Sequence, residues 1–113
     1  MDVHEFAQLV LAQTRDRIAR MHSEEQASWY VVQVIPGPKY TKVDLGVPFG
    51  DENRAKGIVG EGKFMIENAT GVIYGIKGYG KVHKGHMYGT LDTVDAWYWG
   101  DYYPVRRDTI AEG

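Results

Sequence analysis

Between Asn68 and Leu91 the chain carries no carboxylate, and that span holds Lys77, Lys81, Lys84, His83, His86, Tyr74, Tyr79 and Tyr88 among six glycines. Lysines and protonatable imidazoles attract anions, and glycines let a ligand approach the backbone and its N–H groups. Tyrosines add flat faces for stacking. These are the ingredients of an anion site or a nucleotide-stacking surface. The candidate ligand-binding residues are therefore Lys77, Tyr79, Lys81, His83, Lys84, His86 and Tyr88.

The spacing fits no standard phosphate loop. Gly75, Gly78 and Gly80 do not match the dinucleotide fingerprint, and no helical pattern follows them. No Gly-Lys-Ser/Thr opens a helix, so the Walker pattern fails too. The same glycines also have an architectural reading, because glycine within strands marks bulges, bends and close backbone approach.

His83 and His86 stand three apart, a spacing that a turn can fold onto one metal ion with Asp92 or Asp95 completing the set. Neighbouring Lys81 and Lys84 would repel a cation, so no metal and no cofactor is expected. The same four groups are the only candidate acids and bases for phosphodiester chemistry at this stretch. No Gly-x-Ser-x-Gly motif occurs, and Ser23 and Ser28 are the only serines.

A second cluster follows. "DAWYWGDYYPV" (95–105) places Trp97, Tyr98, Trp99, Tyr102 and Tyr103 close together. In a strand Trp97 and Trp99 would share one face and Tyr98 the other, so one face fills a core while the other needs a cover. These five residues are the candidate subunit interface. Asp92, Asp95 and Asp101 make the segment acidic, opposite in sign to residues 77–84, and the two patches could pair.

Whole-chain properties bound the answer. A chain of 113 residues fits one domain, 1–113, and the formal net charge of −2 gives no global pull toward nucleic acid or anionic membranes. The absence of cysteine removes disulfides, thiolate zinc sites and cysteine nucleophiles. The N-terminus has an acidic start and a short apolar run, unlike a signal peptide, and no apolar run approaches the roughly 20 residues that span a bilayer. No membrane association and a cytoplasmic location are expected.

The positioning elements follow from periodicity. Residues 2–22 predict a helix with Asp2 as N-cap, Glu5 closing a capping box, and a stripe of Val3, Ala7, Val10, Leu11, Ile18 and Met21. "WYVVQVI" (29–35) reads as a strand, ended by "PGP". In "KYTKVDLG" Thr41, Val43 and Leu45 alternate with Tyr40, Lys42 and Asp44. Residues 47–62, polar and rich in glycine, read as a long loop. "KFMIE" and "GVIYGIKG" flank a "NATG" turn and read as a hairpin, and one or two further strands follow. Asn68-Ala69-Thr70 matches the glycosylation triplet but reads as that turn. The expected fold is α+β: an N-terminal helix packed on an antiparallel sheet of five or six strands over 29–105, with a flexible tail at 106–113.

Residues 63–93, through "GVIYGIKGYG" and "HKGHMYGTLDT", resemble small proteins encoded by tailed phages of actinobacteria. The resemblance implies a phage setting, with the host cytoplasm as location, and carries no activity. The readings together give a non-enzymatic, phage-type binding protein that acts by surface recognition, expected as a homodimer, with a host protein or nucleic acid as partner. The alternative is a small nucleic-acid- or nucleotide-binding module using residues 74–89. A further alternative is a small histidine-dependent hydrolase or nuclease.

Overall fold

The computed structural model describes residues 1–49, 57–60, 63–77, 81–101 and 103–107, with the backbone alone at 49, 57–60 and 77. Helix α1 (Val3–Met21) starts at a closed capping box: Asp2 Oδ1 accepts the Glu5 N–H at 2.8 Å, and Glu5 Oε1 accepts the Asp2 N–H at 3.1 Å. The donated Glu5 amide is also the main reason the Asp2 carboxyl is held below its ordinary value. Phe6, Ala7, Val10, Leu11, Thr14 and Ile18 form the buried stripe. Met21 does not join it. As the last helical residue it is 65% exposed, three positions beyond Ile18, the last buried residue of the helix.

A short helix α2 (Glu24–Ser28), capped by Ser23 Oγ accepting the Gln26 N–H at 3.0 Å, precedes the first strand. The strand therefore starts at Val31 rather than Trp29, which caps α2 instead. Strands β1 (Val31–Pro36), β2 (Tyr40–Phe49), β3 (Gly57–Gly60), β4 (Phe64–Glu67), β5 (Val72–Lys77) and β6 (Lys81–Thr90) form an antiparallel sheet in the order β1-β2-β4-β5-β6, with β3 pairing β2. The fold is α+β.

The loop expected at 47–62 is partly strand. Gly46–Phe49 of β2 pairs with Gly57–Gly60, because Val47, Phe49, Ile58 and Val59 are strand formers and the glycines between them still offer ladder hydrogen bonds. At the β4–β5 turn the Asn68 amide donates to Gly37 O at 2.8 Å and its Oδ1 accepts from Thr41 Oγ1 at 2.7 Å. Gly71 completes the turn at φ +75°.

The core lies between α1 and one sheet face. Phe6, Val10, Val43, Phe64, Ile73 and Trp99 are fully buried. Phe6, Phe64 and Trp99 meet edge to face at centroid distances of 4.9–5.5 Å. On the opposite sheet face one cross-strand row runs Ile35–Lys42–Met65–Tyr74–Met87 over five strands.

The aromatic C-terminal run is not a strand of the main sheet. After a 3₁₀ turn (Val94–Ala96), β7 (Trp97–Tyr98) pairs with β8 (Val105–Arg106) as a separate two-stranded ribbon. The strand stops because Trp99 turns into the core. Its backbone N–H donates to Gln13 Oε1 at 2.7 Å, its indole N–H donates to Val94 O at 3.0 Å, and 1% of it is exposed. Trp99 is therefore a core residue and not an interface residue. Of the tail expected at 106–113, Arg106 belongs to β8, and residues 108–113 lie outside the described residues. No helix among the described residues is long and apolar enough to cross a membrane.

Candidate ligand-binding surface on the β6 edge

Strand β6 forms one edge of the main sheet, and its register breaks at the histidines. Adjacent Tyr74 and Gly75 on β5 pair with Met87 and His83 on β6, leaving Lys84, Gly85 and His86 without a ladder partner on β5. Regular strands send residues three apart to opposite faces. This bulge instead lays the His83 and His86 rings on each other, centroids 4.1 Å apart and planes 9° from parallel. Bulges re-aim side chains in this way, and they collect beside functional sites.

Two glycines make the room. A Cβ on Gly85 would come within 3.0 Å of His83 Cε1, and one on buried Gly75 within 3.2 Å of the His86 Cβ. Gly89 has a turn role instead: φ is +83°, and a Cβ there would lie 2.5 Å from Thr93 Oγ1. The architectural reading thus holds for these glycines, and at Gly75 and Gly85 the architecture is the imidazole pair itself.

An aromatic seam runs from this pair back to the core. His86 meets Tyr88 and the edge of Tyr103, each at 6.4 Å. Tyr88 in turn packs edge-on against Trp97 at 5.4 Å and Phe64 at 5.9 Å. Burial, and then the nearby Tyr103 hydroxyl, push the Tyr88 phenol above its ordinary value, so it adds no negative charge to the surface. Arg106 lies over the Trp97 ring at 5.4 Å, and Arg107 Nε donates to Trp97 O at 3.0 Å. Trp97 thereby joins β6 to a second cationic position on β8.

Of the candidate ligand-binding residues, Lys81, His83, Lys84, His86 and Tyr88 come together on β6. Lys81, Lys84 and His86 are exposed, and His83 and Tyr88 are partly covered. The register sets Lys77 opposite Lys81, a like-charge placement that sheets ordinarily avoid, while the Lys77 side chain and all of Tyr79 lie outside the described residues. Among the candidate interface residues Trp97 and Tyr98 are half-buried, Tyr103 is 60% exposed, and Tyr102 lies outside the described residues.

Within the chain, among the described residues, the acidic segment does not pair with Lys81 or Lys84. Asp92 Oδ1 lies 3.9 Å from the N-terminal amine, and Asp101 lies 3.7 Å from Arg17 Nε. No group of three or more potential metal ligands forms among the described residues, so Asp92 and Asp95 complete no site with the histidines. Stacked parallel rings also aim their nitrogens side by side rather than at a shared point.

Sequence reasoning missed Arg106 and Arg107, assigned above to a flexible tail. The signal was present in the sequence, where two adjacent arginines follow the aromatic run within a few residues. No protein-family model matches the chain, and neither the curated proteins nor the solved structures contain a match.

Proposed function

We propose that this protein is a non-enzymatic binding module for single-stranded nucleic acid, engaged through the β6 bulge and the aromatic seam that leads to β8. The observation that carries this reading is the stacked His83–His86 pair on an exposed sheet edge, with Lys81 ahead of it on β6 and Lys84 between the two histidines in sequence. Lysines and arginines attract phosphates, and the exposed His86 and Tyr103 offer faces to unpaired bases. Bases in a duplex already stack on each other and would gain nothing from those rings.

Fluorescence anisotropy with a labelled single-stranded oligonucleotide tests the reading. Binding should be measurable at about 50 mM salt and should weaken steeply by about 200 mM. Replacing Lys81 and Lys84 by Ala should flatten the log–log salt slope by about 1.4, the share of two phosphate contacts on a single strand. Absence of binding at the lower salt would end the proposal. The phage setting implied by residues 63–93 belongs to the same reading, and the genes flanking this one test it.

Self-association is the second reading, and one observation favours it: the row Ile35–Lys42–Met65–Tyr74–Met87 on the sheet face opposite α1, apolar or aromatic at every position but Lys42. Ile35 and Met87 are 43% and 56% exposed. A second copy would cover such a row symmetrically, as two-fold dimers do. Sedimentation should then show a salt-resistant dimer that Met87→Asp dissociates. A monomer up to near-millimolar concentration refutes it.

A further inference from the structure

A cavity of about 360 Å³ opens on the other side of the β7–β8 ribbon's first strand, between the end of α1 and the Tyr98–Asp101 segment, lined by Arg17, Arg20, Met21, Tyr98 and Asp101. We infer that this cavity is a separate binding site for a small monocarboxylate with a compact apolar body. The size falls in the range of small-molecule pockets, about 300–1,000 Å³.

Both guanidinium groups are held in place before any ligand arrives. Arg17 Nε donates to Gly100 O at 2.5 Å, and Arg20 Nε donates to Asp16 Oδ2 at 3.2 Å while its Nη2 donates to the Tyr98 hydroxyl at 3.3 Å. Arg17 Nη1 faces Met21 Sδ at 3.8 Å. Among the described residues, Arg17 Nη2 and Arg20 Nη1 have no hydrogen-bond partner. These two nitrogens sit on guanidinium groups that already have partners in the fold, so a carboxylate that accepts from each of them orders little that was free before.

The far wall is fixed to the helix as well. Trp99 is anchored through Gln13 and buried, and Gly100 is closed in: a Cβ there would collide with the Tyr98 ring and hydroxyl and with Gln13 O. Tyr98 and the exposed Met21 supply the apolar walls. Arginine near a helix C-terminus has an ordinary role in complementing the helix dipole. That role requires neither a second guanidinium, nor a hydroxyl aimed at it, nor a cavity beside them. Asp101 stands 3.7 Å from Arg17 Nε and Asp16 3.2 Å from Arg20 Nε, so each guanidinium already has a carboxylate beside it; a single added carboxylate burdens such a site less than a phosphate dianion does.

Benzoate is the probe, followed through the Met21 methyl and arginine Nε–H signals in NMR titrations of the whole chain. Saturable shifts at Met21, Tyr98, Arg17 and Arg20 are expected. Neutral benzamide and inorganic phosphate should each bind at least about tenfold more weakly, since one lacks the charge and the other the apolar body. Arg20→Gln should weaken benzoate by a similar factor. Met21→Ala, a surface change that leaves the fold's core untouched, should do so more mildly. Equal shifts from benzamide, tighter binding of phosphate, or no saturation by benzoate would overturn the inference. Loss of oligonucleotide affinity in Arg20→Gln would also overturn it, by making the cavity part of the nucleic-acid surface. Failure of the oligonucleotide reading alone leaves the benzoate result standing.

Discussion

Gly85 lies so close beneath the His83 ring that a methyl group there would sit 3.0 Å from Cε1 and 3.3 Å from Nδ1. Both contacts are tighter than a side chain ordinarily makes, so in Gly85→Ala the His83 ring has to shift by a few tenths of an ångström against His86. Lys84, Gly85 and His86 are exposed, so the stability cost should stay within about 1 kcal/mol. The mutual ring-current shifts of the two imidazoles should nevertheless change in the NMR spectrum, and oligonucleotide affinity should fall. Unchanged ring shifts would show that the pair is not built by the glycine.

Phe6 touches both Phe64 and Trp99 edge to face and is wholly buried, which makes it the side chain that joins helix, sheet and C-terminal segment. Phe6→Ala should cost about 3–5 kcal/mol in urea titration, the range for a deleted core aromatic ring. A loss under about 1 kcal/mol would mean that α1 does not dock as described.

Tyr88 gives the fold an alkaline limit. Its phenol is raised above the ordinary value of 10.0 by burial and by Tyr103. The neutral form is thus favoured in the folded chain, and the stabilisation is complete below the unfolded value. It is lost as pH rises through the higher folded value. Urea midpoints should fall above about pH 10 in the wild type, and Tyr88→Phe should remove that part of the decline. An identical alkaline decline in both proteins would place the cause elsewhere.

The helix and its cap were legible because Asp2, Glu5 and the 3.6-residue stripe all point to one structure. Strand alternation at Thr41, Val43 and Leu45 was equally clear, and these residues do face the core. Three features were not. The β3 strand hides among glycines that look like loop punctuation. The burial of Trp99 depends on Gln13, 86 positions away in sequence, so local alternation could not reveal it. The histidine pair arises from a register break, whereas spacing alone suggested a metal turn. Sequence supplied the ingredients of the β6 surface. Pairing register decided what they became.

Arg106 and Arg107 test how far the proposed surface extends. Arg106 caps the Trp97 ring and Arg107 holds the Trp97 carbonyl, so both sit one aromatic ring away from Tyr88 and the β6 bulge. If a single strand runs along this seam, phosphates must pass both cationic positions. Arg106→Gln with Arg107→Gln should then weaken oligonucleotide binding and reduce the log–log salt slope by about 1.4, as for the lysine pair. The combined four-site variant should lose about twice that slope, because phosphate contacts along one strand contribute independently. Guanidinium stacking on Trp97 also serves the ribbon, so a fall in affinity alone would be ambiguous. The slope separates the two roles, since a merely loosened ribbon lowers affinity equally at every salt concentration. An unchanged slope in the arginine variant would confine the surface to β6.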